Sequence, residues 1–186
     1  MYVYDLTLSK AGTHAGATGP KRLRMYYFSG GGWQNPPSSQ HWKFCAELAR
    51  QAGKGVIDGP NLLKPHAILL VSPAVDLGPT RKEGPIVDVA RKDPVLTISL
   101  HDSGARTWAQ AEDPGQPSIS AIMADATPLA RTGAKIIGVT GGWDILPPSA
   151  LEFRDAAREQ GVAGARLHWE KQIHCLPLAF MVYPRL

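Results

Sequence analysis

The sequence predicts an α/β fold with a mostly parallel sheet. Two mainly apolar runs, at residues 67–72 and 134–139, are typical of parallel strands covered on both faces. Segments with apolar residues at helical spacing alternate with the strands, which is the order of strand–helix–strand units. Because 186 residues suffice for one sizeable core, we expect a single domain over residues 1–186.

Five strands and four helices follow from the pattern. The strands are predicted at residues 2–9, 22–28, 67–72, 134–139 and 166–170. The helices are predicted at residues 40–51, 86–91, 103–110 and 149–160. Residues 78–126 carry no strong strand pattern, and two readings stay open for them: a lid over a site, or a surface connection.

Composition and charge argue against several classes of protein. Apolar residues make up 44% of the chain and charged residues 19%, which is typical of a globular protein. The net charge is only +4, and the basic residues form scattered pairs without interleaved aromatics, so we expect no nucleic-acid surface. No apolar run approaches the ~20 residues of a membrane span. The alternating first residues read as a strand and not as a signal peptide, so we expect a cytoplasmic protein.

Three successive glycines, Gly30, Gly31 and Gly32, follow the strand predicted at residues 22–28. Glycines let the backbone turn sharply and approach a ligand closely. Their amides can then point at a developing negative charge, as in an oxyanion loop. The alternative is a flexible turn between a strand and a helix.

An acid and a histidine follow the last two predicted strands. In parallel sheets, reactive groups collect beyond the carboxyl ends of the strands. Asp144 follows the fourth strand, and His174 follows the fifth, one strand–helix–strand step later. A carboxylate placed in this way can orient an imidazole and hold its tautomer. Each residue also has an ordinary structural interpretation, since Asp144 could begin a helix and His174 could be a core histidine.

Five segments occur along the chain in this order: FSGGGW, VSPAVDL, an Asp-Pro at Asp113, VTGGWDILPPSALEFRDAAREQGV and HCLPL. In these segments and their order, the chain resembles the α/β-hydrolases of the hormone-sensitive-lipase type, a carboxylesterase family, and especially its fungal members. The resemblance implies an α/β-hydrolase-like three-layer fold in which Asp144 is the triad acid and His174 the triad base. It makes Gly30–Gly32 the oxyanion loop. It also implies small or medium acyl esters as substrates, including a tailoring step on a metabolite, with neither metal nor organic cofactor.

The sequence departs from this family at two places. Ser29 stands where the family has a histidine before the glycines. No Gly-x-Ser-x-Gly nucleophile motif occurs in the 186 residues, and the nearest string, HDSGA, makes Ser103 a weak nucleophile candidate. The strand–helix units around that motif would take ~30 residues each, and they are missing together with the motif. The sequence therefore predicts a truncated fold. In it, the strands at residues 22–28 and 67–72 become neighbours and pair.

Neither cysteine is expected to replace the serine. Cys45 lies on an amphipathic helix, where a buried structural thiol is typical. Cys175 follows His174 directly, and we expect the two neighbouring side chains to point apart. Two cysteines alone also supply neither a disulfide framework nor a zinc site. Two functions remain. One is an esterase attacking through Ser103, Ser29 or an activated water. The other is a catalytically inactive relative, which could be a degenerate hydrolase, a truncated product or a remnant that binds small molecules.

Overall fold

The structure is a computed structural model that describes residue 27 and residues 37–52, 66–78 and 85–181. Its elements are α1 (Ser39–Ala52), β1 (Ala67–Val71), α2 (Pro85–Ala90), α3 (Ile98–Ala109), a 3-10 turn (Ala121–Met123), α4 (Thr127–Thr132), β2 (Lys135–Trp143), α5 (Pro147–Glu159), β3 (Gly164–Ile173) and α6 (Leu176–Phe180). The strands predicted at residues 2–9 and 22–28, the pairing of the latter with β1, Ser29 and the glycine loop lie outside the described residues.

The chain divides into two compact units. The first comprises Met1–Gly31, Asn35–Leu62 and Pro177–Leu186, and the second comprises Gly32–Gln34 and Leu63–Leu176. In the first unit, the ring of Tyr27 lies 6.1 Å from the rings of His41 and Phe44, both on α1. Helix α1 agrees with the helix predicted over residues 40–51.

The second unit is built on a three-stranded sheet in the order β1–β2–β3, and both pairings are parallel. Leu70 of β1 lies beside Gly138 of β2, which in turn lies beside Arg166 of β3. Parallel neighbours need crossover connections, and α5 supplies the one between β2 and β3. The predicted α/β class with a parallel sheet is thus confirmed.

Helices α4 and α5 cover one face of this sheet. The buried cluster there consists of Ala126, Ile136, Ala157 and Val162, with Leu70, Leu129, Ala130 and Phe153 packed against it. On the other face Leu69, Ile137 and Leu167 are 50%, 40% and 44% exposed. These three side chains are therefore only partly covered by the rest of the chain.

Local chemistry moves several predicted boundaries. Helix α3 begins at Ile98 and not at residue 103, because Thr97 caps it by accepting a hydrogen bond from the amide of Leu100 at 3.1 Å. Strands β2 and β3 both extend beyond their predicted ends, and a bulge lies between Gly141 and Trp143. Helix α4 was not predicted. Across the described ranges, no helix has the length and apolar character needed to cross a bilayer.

Candidate active site

Asp144 lies directly after β2, and its side chain is completely buried. Its Oδ1 accepts a hydrogen bond from the amide of Leu146 at 3.0 Å, at the start of α5. Its Oδ2 lies 3.1 Å from Nδ1 of His174. A buried carboxylate is costly unless it is hydrogen-bonded, and these two groups provide its partners. The carboxylate is therefore fixed in position at the carboxyl end of β2.

His174 lies directly after β3 and meets Asp144 because of the strand register. Trp143, the last residue of β2, pairs with Ile173, the last residue of β3. The residues that follow, Asp144 and His174, therefore leave the sheet side by side. The side chain of His174 is 19% accessible, whereas the carboxylate of Asp144 is not accessible. The structure thus brings together the acid and the histidine that the sequence placed at neighbouring strand ends.

Cys175 points toward His174, so the expectation that these neighbours point apart is wrong. The Cys175 Sγ lies 3.2 Å from Nε2 of His174. The backbone of Cys175 has φ 52°, in the left-handed region, which bends the chain so that the two side chains converge. Neighbouring side chains diverge in extended backbone, and this segment is not extended. The imidazole is consequently held between a carboxylate and a thiol.

Ser72 holds the backbone of Cys175 in this conformation. Its Oγ accepts a hydrogen bond from the Cys175 amide at 2.9 Å. Ser72 is buried, has φ 42°, and donates its own amide to the carbonyl of Val139 at 2.8 Å. Sequence reasoning treated Ser72 only as the last residue of a strand. Its place at the carboxyl end of a parallel strand was the available signal.

The surroundings of His174 favour its charged form. Burial lowers the pKa of His174, but its hydrogen bonds to Asp144 and Cys175 and the charges of both groups outweigh burial and raise the pKa to about 10. An imidazolium has two N–H donors. Nδ1–H can then donate a hydrogen bond to the Asp144 carboxylate while Nε2–H donates one to the Cys175 sulfur.

Asp93 supports the turn that carries Asp144. One oxygen, Oδ2, accepts from the amide of Ile145 at 2.9 Å. The other, Oδ1, accepts from the amides of Val95 and Leu96, both at 2.8 Å. Sequence reasoning missed Asp93 and singled out the Asp-Pro at Asp113. Asp113 instead accepts from the amide of Gly115 at 2.9 Å, in an exposed loop.

The remaining sequence-predicted residues are not part of this cluster. Ser103 is exposed within α3, a setting unlike the strand-to-helix turn of a nucleophilic serine. Both ring nitrogens of His174 face other groups, Asp144 and Cys175. Cys45 is 2% exposed on α1, as expected, and burial raises the pKa of its thiol. In the described part of the chain, no group of three or more His, Cys, Asp or Glu side chains could hold a metal ion.

Solved structures of lipases and esterases are similar to this one. A hormone-sensitive lipase from a metagenome library has a TM-score of 0.56 at 19% identity, covering 75% of this chain and 43% of that chain. A hormone-sensitive-lipase homologue, also from a metagenome library, has a TM-score of 0.56 at 19% identity, covering 79% and 45%. A putative esterase from Staphylococcus aureus has a TM-score of 0.53 at 16% identity, covering 73% and 42%. The chain thus spans less than half the length of these structures.

The sequence comparisons give the family. No curated protein matches the chain. The model of the α/β-hydrolase fold family matches residues 58–178, which include β1, β2, β3 and every residue of the cluster around His174. This match spans well over half of the 186 residues. The chain belongs to the α/β-hydrolase fold family.

Proposed function

We propose that this chain is a carboxylesterase-like hydrolase in which Asp144 orients His174 and His174 transfers the proton. One observation carries the proposal: the fully buried Asp144 Oδ2 lies 3.1 Å from Nδ1 of His174, at the carboxyl ends of two paired parallel strands. Because Asp144 occupies Nδ1 of His174, Nε2 is the nitrogen that exchanges the proton with the reacting group.

Small or medium acyl esters are the proposed substrates. The similar solved structures are named as esterases or as a hormone-sensitive lipase, and one related esterase was soaked with p-nitrophenyl butyrate. These names describe those proteins, and they support the same class of substrate for this chain. Because the chain spans less than half of their length, the activity is a proposal that rests on the acid and the histidine of this chain.

The chemistry follows from the positions of the two side chains. His174 delivers its Nε2 proton to the oxygen of the leaving alcohol and takes a proton back from the water that completes hydrolysis. Positioned general acid–base catalysis of this kind contributes roughly 10²–10⁴-fold to a rate. Asp144 holds the ring in place and stabilises its charged form during the transfer. The amides of Gly30, Gly31 and Gly32 are the proposed donors to the oxyanion.

Hydrolysis of p-nitrophenyl butyrate by the full chain tests the proposal. We expect His174→Ala to reduce turnover by about 10²-fold or more, the size of a lost general base. His168→Ala is the matched control, because His168 lies on β3 and contacts Thr140 at 3.0 Å, outside the cluster. Thermal unfolding of both variants checks that they are folded.

Two results would count against this function. Equal turnover in the wild type and the His174→Ala variant would show that His174 transfers no proton. Turnover at the level of buffer in a folded wild-type protein would favour the other function, a relative that binds small molecules without hydrolysing them.

A further inference from the structure

We propose that the Cys175 thiol is the attacking nucleophile, so that Cys175, His174 and Asp144 form a cysteine triad that carries the acyl group on sulfur. This inference rests on the ester-hydrolase function proposed above and names the atom that attacks. It replaces the serine of the Gly-x-Ser-x-Gly motif, which the 186 residues do not contain.

The geometry is that of an activated nucleophile. The distance of 3.2 Å between Cys175 Sγ and His174 Nε2 is within hydrogen-bonding reach for sulfur. The base is oriented in turn by a third group, Asp144, at 3.1 Å from Nδ1. Hydrolases with covalent intermediates share this arrangement, in which a nucleophile contacts a base and an acid orients that base.

The backbone keeps the thiol in this place. Cys175 has φ 52°, a conformation that costs a non-glycine residue energy and therefore needs support. Support comes from the buried Ser72, whose Oγ accepts from the Cys175 amide at 2.9 Å. Ser72 is itself tied to β2 through the carbonyl of Val139. The thiol is thus held against the imidazole before any substrate binds.

The electrostatics favour a thiol over water as the attacking group. With a pKa raised to about 10, His174 already carries a proton at neutral pH, so its Nε2 is not free to take one from water. The Cys175 sulfur lies 3.2 Å from this Nε2 and is therefore in place to attack, in the thiolate form that makes a cysteine nucleophilic. Cys175 is also partly accessible, unlike the buried Cys45.

The reaction balances in two steps. In the first, the thiolate sulfur attacks the ester carbonyl carbon, a C–S bond forms, and the C–O bond to the alcohol breaks as Nε2–H of His174 protonates the departing oxygen. In the second, neutral His174 takes a proton from water and the hydroxide adds to the thioester carbonyl. The C–S bond then breaks, which releases the carboxylic acid and restores the thiolate–imidazolium pair.

Alkylation of the full chain with iodoacetamide tests the nucleophile directly. Peptide mass spectrometry reads Cys175 and Cys45 in the same sample, so Cys45 is an internal control. At pH 6 we expect Cys175 to react at least about tenfold faster than Cys45, because Cys175 is partly accessible and contacts His174, whereas Cys45 is buried and burial raises the pKa of its thiol. In the His174→Ala variant, the alkylation of Cys175 should be slower by a similar factor. The alkylation rate of Cys175 in this variant should also rise with pH. A Cys175 rate that is the same in the wild type and in this variant would overturn the proposal.

Acyl trapping separates this inference from the function on which it rests. After brief incubation with p-nitrophenyl acetate and acid quenching, we expect one acetyl group on Cys175 and none on Cys45. Cys175→Ala should lose turnover to the level of His174→Ala, whereas Cys45→Ala should retain it. Turnover that requires His174 but persists in Cys175→Ala would overturn the cysteine nucleophile and leave the hydrolase function standing. A wild-type protein without turnover or acylation would overturn both.

Discussion

Asp93 Oδ2 accepts a hydrogen bond from the amide of Ile145 at 2.9 Å, one residue beyond Asp144. The next amide, of Leu146, donates to Asp144 itself at 3.0 Å. The turn after β2 is therefore held by two carboxylates, one from outside it and one from within. Ile145 is 1% exposed, so its amide could not find water in place of Asp93. This makes Asp93 a positioning residue for Asp144.

Replacing Asp93 should disturb the site through Asp144. In Asp93→Ala the buried amide of Ile145 loses its acceptor, which should cost about 1–3 kcal/mol of unfolding free energy. We expect ester turnover to fall with it, and the pKa of His174, followed by NMR, to fall because Asp144 is less well placed.

Asp113→Ala provides the matched control for Asp93. Asp113 also precedes a proline and also accepts from a nearby amide, that of Gly115, but it lies in an exposed loop. We expect the ester turnover and the His174 pKa of the Asp113→Ala variant to equal those of the wild type. If both substitutions lowered turnover equally with no change in the His174 pKa, Asp93 would have no positioning role.

Asp144→Asn should separate the charge of the acid from its packing. The amide oxygen can still accept from Leu146, but the side chain no longer carries the negative charge that helps to raise the pKa of His174. Turnover of p-nitrophenyl butyrate should fall by roughly 10²–10⁴-fold, as expected for a triad that has lost its acid. NMR titration should show a lower His174 pKa than in the wild type. An unchanged His174 pKa in a folded variant would contradict this account.

The sequence predicted the acid and the histidine because their positions follow from the order of elements. Asp144 and His174 each come directly after a strand, and parallel neighbours end at the same edge of the sheet. The thiol was not predicted because its orientation depends on one backbone angle, φ 52° at Cys175. Nothing local marks a non-glycine residue as left-handed. The support from Ser72, 103 residues away in sequence, has no local signal either.

Strand and helix positions were predictable where the pattern was long. Helices α1 and α5 lie close to their predicted ranges because each has several turns of helical spacing. The degree of burial was not predictable from the same kind of pattern. β1 is apolar at every position, yet Leu69 is 50% exposed, because composition does not tell how closely the neighbouring elements cover each side chain.

The stability of the protein should depend on the protonation of His174. Its pKa in the folded protein, about 10, lies above the ordinary value of 6.5. A raised pKa means that the folded protein binds the proton more tightly, so the contribution is complete below about pH 6.5 and is lost as pH rises toward 10. We expect the unfolding free energy of the wild type, relative to that of His174→Gln, to decrease over this range.

Urea unfolding of both proteins at pH 6, 8 and 10 measures this difference. Other groups titrate in the same range, and comparison with the variant removes their shared contribution. A difference that stayed constant, or grew with pH, would show that the folded protein does not hold the His174 proton more tightly than the unfolded chain.

Gly141 and Gly138 should respond in opposite ways to the same substitution, although both lie in β2. A Cβ at Gly141 would overlap the backbone carbonyls of Gln172 and Ile173. These are the last two residues of β3, and His174 follows them. Gly138→Ala meets no atom within 4 Å and faces a small cavity lined in part by Leu70 and Phe153. The close approach of backbones at the bulge, and not strand geometry in general, therefore requires a glycine at Gly141.

We expect Gly141→Ala to lower the unfolding free energy by about 2 kcal/mol or more and to reduce turnover, because β3 must move away and carry His174 with it. Gly138→Ala should leave turnover intact and raise stability by about 0.4–1 kcal/mol through the lower entropy of the unfolded chain. Chemical denaturation and p-nitrophenyl butyrate hydrolysis on the same preparations measure both effects. Equal stability and turnover for the two variants would mean that the β2–β3 bulge does not set the distance between Asp144 and His174.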